Sequence, residues 1–300
     1  MKRMSKLLAT ALALVMLLCL CACGDGGSGL SVLRMAPETF ETRITRANEQ
    51  MQNLKSLQMD MHLDMVMTMA VLGESMHVNI SADTKFETER DPLKTAVDLD
   101  MTIDAMGEHE NQKVLSYILQ EGSQYVTYTS SDEGRSWQKQ TLSASEALQS
   151  DAEAQLQMFL ANAASFQEAG TLLINGSKAI AYSGELTGNY VQEAVQSSGA
   201  LNSVGELLGS EVTDDLFRDL DPISVTVAFD EQSGMMVFYE MDMTAAMGTL
   251  MQRLMDQLLQ AAASGMDLQL SIDLPAVKVS VTLSRFDQVS VTVPDAVPAA

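Results

Sequence analysis

The body of this 300-residue chain has no cysteine: Cys19, Cys21 and Cys23 are the only three, and all precede residue 24. That excludes internal disulfides, thiolate metal sites and a cysteine nucleophile from everything that follows. Histidine is equally scarce. His62, His77 and His109 share no H-x-x-x-H or H-x-H spacing, so the common imidazole signatures for metal are missing. The body offers neither a G-x-S-x-G elbow nor a phosphate-binding glycine loop. By this checklist the chain is not expected to be an enzyme, and no cofactor and no metal are expected. Basic residues are few, 18 against 40 acidic ones. Lys2, Arg3 and Lys6 lie at the extreme start; without them 15 remain against 40, a net charge of −25. Such a chain repels nucleic acid and anionic lipid headgroups. Yet 46% of residues are hydrophobic, too many for a disordered acidic tail.

The only long apolar run is at the start. Leu7 to Leu20 is broken only by Thr10 and Cys19, and it follows the basic residues. Basic start, short apolar stretch and small residues make a secretory signal over residues 1–22, too short for a comfortable membrane span. The run ends Leu20-Cys21-Ala22-Cys23, which resembles the lipobox of bacterial lipoproteins. The resemblance implies cleavage before Cys23, a diacylglyceryl group on that residue and a place on the extracytoplasmic face of the cell membrane. Residues 23–37 then read as a tether, Gly/Ser-rich from Gly24 to Gly29.

Residues 38–300 show no shift in composition and are expected to form a single domain. After Pro37, Phe40, Ile44, Ala47, Met51 and Leu54 recur at helical spacing. The stretch Met59 to Met69, MDMHLDMVMTM, then alternates strictly, with Met or Leu at every odd position. MHVNISAD and TAVDLDMTIDA repeat the alternation, and KVLSYILQEG and QYVTYTSSDEGRSWQKQ continue the run. Helical patterns are expected near 144–166 and 246–263, with two short helices between 189 and 210. Hairpins are expected about Asn175-Gly176 and Glu231–Gly234. MDLQLSIDL, AVKVSVTLSRF and QVSVTVPDAV read as closing strands. A meander with one apolar face has to cover it, and each helix carries one apolar stripe. The expected fold is therefore α+β: a strongly curved antiparallel β-sheet, an unclosed half-barrel, with helices packed in its concave face.

The lipobox, the helix ending NLKSLQMDM, the long alternating strands, the QYVTYTSSDEGRSWQKQ hairpin and the closing FDQVSVTVPDAV occur together. In this combination the chain resembles small Gram-positive lipoproteins of the LolA/LppX-like fold, of the DUF6612-like kind. That resemblance implies a half-barrel whose concave face can hold acyl chains.

Met59, Met61, Leu63, Met65 and Met67 share one strand face, and Met101 lies on a strand expected to neighbour it. Methionine is unbranched and polarizable, so it adapts to varied apolar guests. With Leu250 and Leu254 of the helix near 246–263, a movable lid in this reading, these residues form the candidate lining for a hydrophobic ligand, an acyl chain or lipid. The competing reading makes them plain core and the protein an interaction module, plugged by its own helices, whose acidic outer face meets a basic envelope partner. Asp60, Asp64, Asp98, Asp100 and Asp104 read as a solvated sheet face, and Trp137 as an anchor of its hairpin to the body.

Overall fold

Thr39 caps the first helix, α1 (Phe40–Gln52), its hydroxyl accepting from the Thr42 amide at 3.3 Å. In this computed structural model residues 38–71, 74–122, 124–143, 152–187, 216, 218–262 and 270–297 are described. Phe40, Ile44, Ala47 and Met51 form the buried stripe of α1, three to four residues apart as one helix face requires. The eleven strands are β1 (Ser56–Val71), β2 (Glu74–Arg90), β3 (Leu93–Ala105), β4 (Glu108–Glu121), β5 (Gln124–Ser130), β6 (Gln138–Leu142), β7 (Gln167–Ile174), β8 (Ser177–Leu186), β9 (Ile223–Asp230), β10 (Met236–Asp242) and β11 (Leu270–Ser284). Two further helices are α2 (Ala152–Ala161) and α3 (Thr244–Ala262).

All eleven strands belong to one antiparallel sheet, ordered β6-β5-β4-β3-β2-β1-β11-β10-β9-β8-β7. It is two meanders joined where β1 pairs β11. The sheet curves around its helices without closing, because β6 and β7 remain its two edges. Sequence dictates the tightest turns. Asn175 and Gly176, between β7 and β8, both have positive φ (48° and 80°), as a two-residue hairpin of matching twist demands. Helix α3 is tied to the sheet at its start, where the Met243 amide donates to the Val277 carbonyl (2.8 Å) and the Val277 amide to the Thr244 hydroxyl (3.0 Å).

The concave side holds one large core. Rings of Phe40 and Phe166 stack at 4.1 Å, and Phe159, Tyr182, Phe229 and Tyr239 surround them edge-on or tilted. Gly184 makes room for this group, since a Cβ there would sit 2.7 Å from the Phe166 ring.

Two sequence expectations change. The expected strands on either side of Pro275 are one strand, β11, with two residues facing Met67 in a bulge. Proline is tolerated there because β10 pairs β11 only from Lys278 onward, so no partner waits for its missing N–H. The segment read as a last strand, QVSVTVPDAV, lies outside the sheet. Both flanks of β11 are already paired, so the segment crosses the convex side instead, its Val289 amide donating to the Ser56 hydroxyl (3.0 Å) and its Val291 amide to Glu89 (3.1 Å). Helix α2 is described only from Ala152, and the two short helices expected between 189 and 210 fall outside the described residues.

Where that segment lands, the sheet exchanges its faces. On β4 and β5 the convex side is apolar: Tyr117, Leu119, Val126 and Tyr128 pack with Trp137, Val293 and Val297. Trp137 lies 5.5 Å from the Tyr117 ring, so it does fasten its hairpin to the body.

Candidate functional site

Cross-strand pairing sets the concave face in rows. Val281, Met61, Thr84 and Leu99 form one row across β11, β1, β2 and β3; Val279, Leu63, Ala82 and Met101 form the next. Residues directly opposite share a face, so these rows are one continuous apolar surface. Met59, Met61, Leu63, Met65 and Met67 all point into it and are only 1–3% exposed. Met101 and Leu250 are buried as well, and Leu254 is half-buried against the same core. The structure thus brings the eight candidate residues into one cluster, seven of them closed over. Cys23 lies outside the described residues.

Cover weakens along the sheet. Inward side chains of β1 are fully buried, whereas Val97, Leu99 and Ile103 of β3 and Val114 and Ile118 of β4 are only half-buried. Together they make an apolar shelf beside the methionines. The shelf is bordered by polar groups: Glu110 stands opposite Ile103, and Ser116, between Val114 and Ile118, has its hydroxyl 3.0 Å from that of Thr127 and 3.2 Å from that of Thr129 on β5. Thr84 sits between Met61 and the shelf residue Leu99; it is 4% exposed, and its hydroxyl has no partner among the described residues. Alternation in the sequence places Val97, Leu99 and Ile103 inward. It cannot place Val114 and Ile118, because Leu115, Tyr117 and Leu119 on the other face of β4 are apolar too. Nothing in the sequence marks Thr84, since threonine suits either face of a strand.

Helix α3 lies over β11, with Met247, Leu250 and Met251 turned into the core. Just before it, Asp242 is held below the usual carboxylate range: burial opposes ionisation, but hydrogen bonds from Thr244 and the nearby Lys278 outweigh it. Farther along, Arg253 donates to the carbonyls of Leu216 (3.1 Å) and Asp219 (3.4 Å), and Thr249 to the Asp221 carboxylate (2.6 Å). A lid movement of α3 would have to break these ties.

The convex face is polar over β11 and β1–β3. His62 is flanked by two carboxylates, its Nδ1 2.7 Å from Asp83 and its Nε2 3.0 Å from Asp64. Partial burial works against charging the ring, yet the hydrogen bonds to Asp83 and Asp64 outweigh it and raise its pKa. His77 does not neighbour His62: the register sets it opposite Thr68, and the two rings stand on different parts of the hairpin. A depression of about 390 Å³ is lined by Asp60, His62, Asp83, Asp98 and Asp100 with Lys85 and Lys113. Asp100 and Lys113 also border a second, of about 730 Å³, that reaches the β5–β6 turn at Asp132. Among the described residues no three His, Cys, Asp or Glu side chains are arranged to hold a metal ion.

No protein of curated function matches the sequence. Among solved structures, the Mycobacterium tuberculosis lipoprotein LppX is similar over 86% of this chain and 100% of its own, at 13% identity and a TM-score of 0.38. LprF from Mycobacterium bovis is similar over 88% of this chain and 99% of its own, at 11% identity and a TM-score of 0.41. A lipoprotein-sorting protein domain from Vibrio parahaemolyticus, described as a putative outer membrane one, covers 82% of this chain and 90% of its own, at 10% identity and a TM-score of 0.20. Residues 39–300 match the model of DUF6612, a family of unknown function, and the chain belongs to that family.

Proposed function

We propose that this protein is a lipid-anchored envelope protein that holds a hydrophobic ligand, an acyl chain or lipid, against the concave face of its sheet. The observation that carries this reading is the apolar shelf of Val97, Leu99, Ile103, Val114 and Ile118, which continues the buried methionine surface and remains only half-covered. Each methylene laid on such a surface gains about 0.8 kcal/mol, so a long acyl chain is an adequate occupant. The buried methionines beside the shelf give it an adaptable border, because their unbranched side chains can reshape against a guest. The anchor in this reading is a diacylglyceryl group on Cys23. Among the described residues no helix is long and apolar enough to cross a membrane. The role is binding rather than catalysis.

A second reading rests on the closure of Met59 to Met67 under the helices. In it the interior is filled by the chain itself, and the carboxylate-lined depressions outside meet a basic envelope partner. Organic extraction of protein purified from cells without its anchor, followed by mass spectrometry, decides between the two. The carrier yields a stoichiometric lipid, and its delipidated form melts higher when fatty acid is returned. A self-filled module yields none, and its melting temperature stays put.

A further inference from the structure

Large apolar side chains open to solvent are few among the described residues: Leu173 (75% exposed), Met106 (75%) and Leu172 (37%). The two leucines are successive residues of β7, on opposite sides of an edge strand that pairs only with β8 and is exposed from Gln167 through Leu173, so together they wrap the edge of the hairpin near its tip. The opposite edge, β6, reads Gln-Lys-Gln-Thr-Leu and carries the kind of charge that guards an edge from unwanted contact. Edge β7 carries no such guard beside its leucines. From Ala169 to Gly184 there is no Asp or Glu, although the chain has 40 of them. The one charge in that stretch, Lys178, is paired with Glu231 at 2.9 Å. This hairpin is therefore a neutral, apolar corner on a strongly acidic protein.

The chain also enters the fold beside this corner. The Tyr182 hydroxyl donates to the Glu38 carbonyl (3.3 Å) and accepts from Arg43 Nε (3.0 Å). Tyr182 of β8 pairs with Glu168 of β7, and the exposed leucines lie four and five residues further along, ~15 Å at the usual strand rise. Fifteen chain steps lead from Cys23 to Glu38, a reach of at most ~54 Å. Met106 stands at the β3–β4 turn, six strand spacings away from β8, or ~29 Å across the sheet before any distance along it. An anchor on Cys23 brings the hairpin to the bilayer more readily than the far end of the sheet.

We infer that the β7–β8 hairpin is a second membrane contact, with Leu172 and Leu173 entering the interfacial layer of the bilayer that holds the anchor. This rests on the anchored reading of Cys23. The partner is a lipid surface. Two leucines add only a weak hold, but a weak hold next to a tether is enough to fix orientation. Repulsion by anionic headgroups would keep the carboxylate-rich convex face of β1–β3 turned away, whereas the hairpin carries no carboxylate between Ala169 and Gly184, the nearest being Asp230 on β9, opposite Ala179, and the paired Glu231.

The absence of cysteine from the body makes the test direct. Leu173→Cys and Met106→Cys are each made in the full chain, expressed in a bacterium that processes it, labelled with an environment-sensitive nitrobenzoxadiazole and reconstituted in phosphatidylcholine–phosphatidylglycerol vesicles. Both positions are exposed, so the fold should tolerate both. The expected result is a blue-shifted emission at position 173 that brominated phosphatidylcholine quenches, with water-like emission at 106. Water-like emission at both positions in protein that floats with the vesicles overturns the hairpin contact and leaves the anchor standing. A concentration-dependent blue shift at 173 without vesicles also overturns it, because a second copy is then pairing along β7. If the unsubstituted chain takes the label at Cys23 and fails to float, the anchored reading fails, and this inference fails with it.

Discussion

Thr84→Val is the most direct probe of the concave face. Thr84 lies in the row of Met61 and Leu99, 4% exposed, with no partner for its hydroxyl among the described residues. A buried hydroxyl without a partner costs roughly 1–3 kcal/mol, the penalty for taking it out of water. Valine keeps the β-branch and nearly the same shape, so strand preference and packing change little. In delipidated protein the substitution should therefore stabilise the fold by about 1–3 kcal/mol. At roughly 2–4 °C per kcal/mol for a domain of this size, the melting temperature should rise measurably. The assay is thermal and urea unfolding of both proteins, followed by far-ultraviolet circular dichroism. Lipid-loaded protein supplies the second half. If a ligand oxygen accepts from the Thr84 hydroxyl, the advantage of valine should shrink or reverse once ligand is returned. A fall in delipidated stability of similar size would refute the reasoning: the hydroxyl would then be paired, and the concave rows would not be as drawn.

Four other outcomes follow from the same geometry. Leu99→Trp fills the half-covered shelf, so lipid recovered by extraction should drop at least several-fold while the melting temperature moves little; full recovery would remove the shelf from the binding site. Gly184→Ala places a Cβ 2.7 Å from the Phe166 ring and should cost about 1–3 kcal/mol by denaturant unfolding, the usual penalty for overpacking; an unchanged midpoint would mean that the aromatic cluster is loose. Ending the chain after Gln288 removes Val293 and Val297 from Tyr117, Tyr128 and Trp137, so emission from Trp137, the single tryptophan, should shift to the red and the melting temperature should fall. His62 carries a raised pKa in the folded state. Its stabilising contribution should be complete below the unfolded value of ~6.5 and fade as pH rises through the folded value. His62→Gln should accordingly lose more stability in mild acid than in mild base, and a proton-resonance titration of His62 at or below the ordinary value would contradict the pairing with Asp64 and Asp83.

Strict alternation from Met59 to Met69 was enough to say that those side chains share one face, because a strand has a period of two. Opposed by acids and polar residues on the other face, the pattern also said which face avoids water. The hairpin at Asn175-Gly176 was legible for a local reason, since two successive positive φ angles suit asparagine and glycine. On β4 local rules failed. Val114 and Ile118 face the concave side while Leu115, Tyr117 and Leu119 face the convex one, so the strand is apolar on both sides. Which side is covered, and by what, depends on a segment about 175 residues later in the chain. QVSVTVPDAV misled for the same reason: it has a strand's alternation, but both flanks of β11, the strand just before it, are already paired.

The sequence by itself determined most of the strands, the inward face of those that alternate strictly, and the apolar stripes of the helices near 38–54 and 246–263, because each is a short-range matter of period or turn chemistry. Only the tertiary structure decided how far that cover extends: complete over the methionines of β1, partial over β3 and β4. It also decided that Thr84 is left without a partner and that the leucines of β7 stand open beside the point where the chain enters the fold. Cover and exposure are properties of surfaces assembled from distant segments, and burial is settled by whichever segment arrives there rather than by the residue itself.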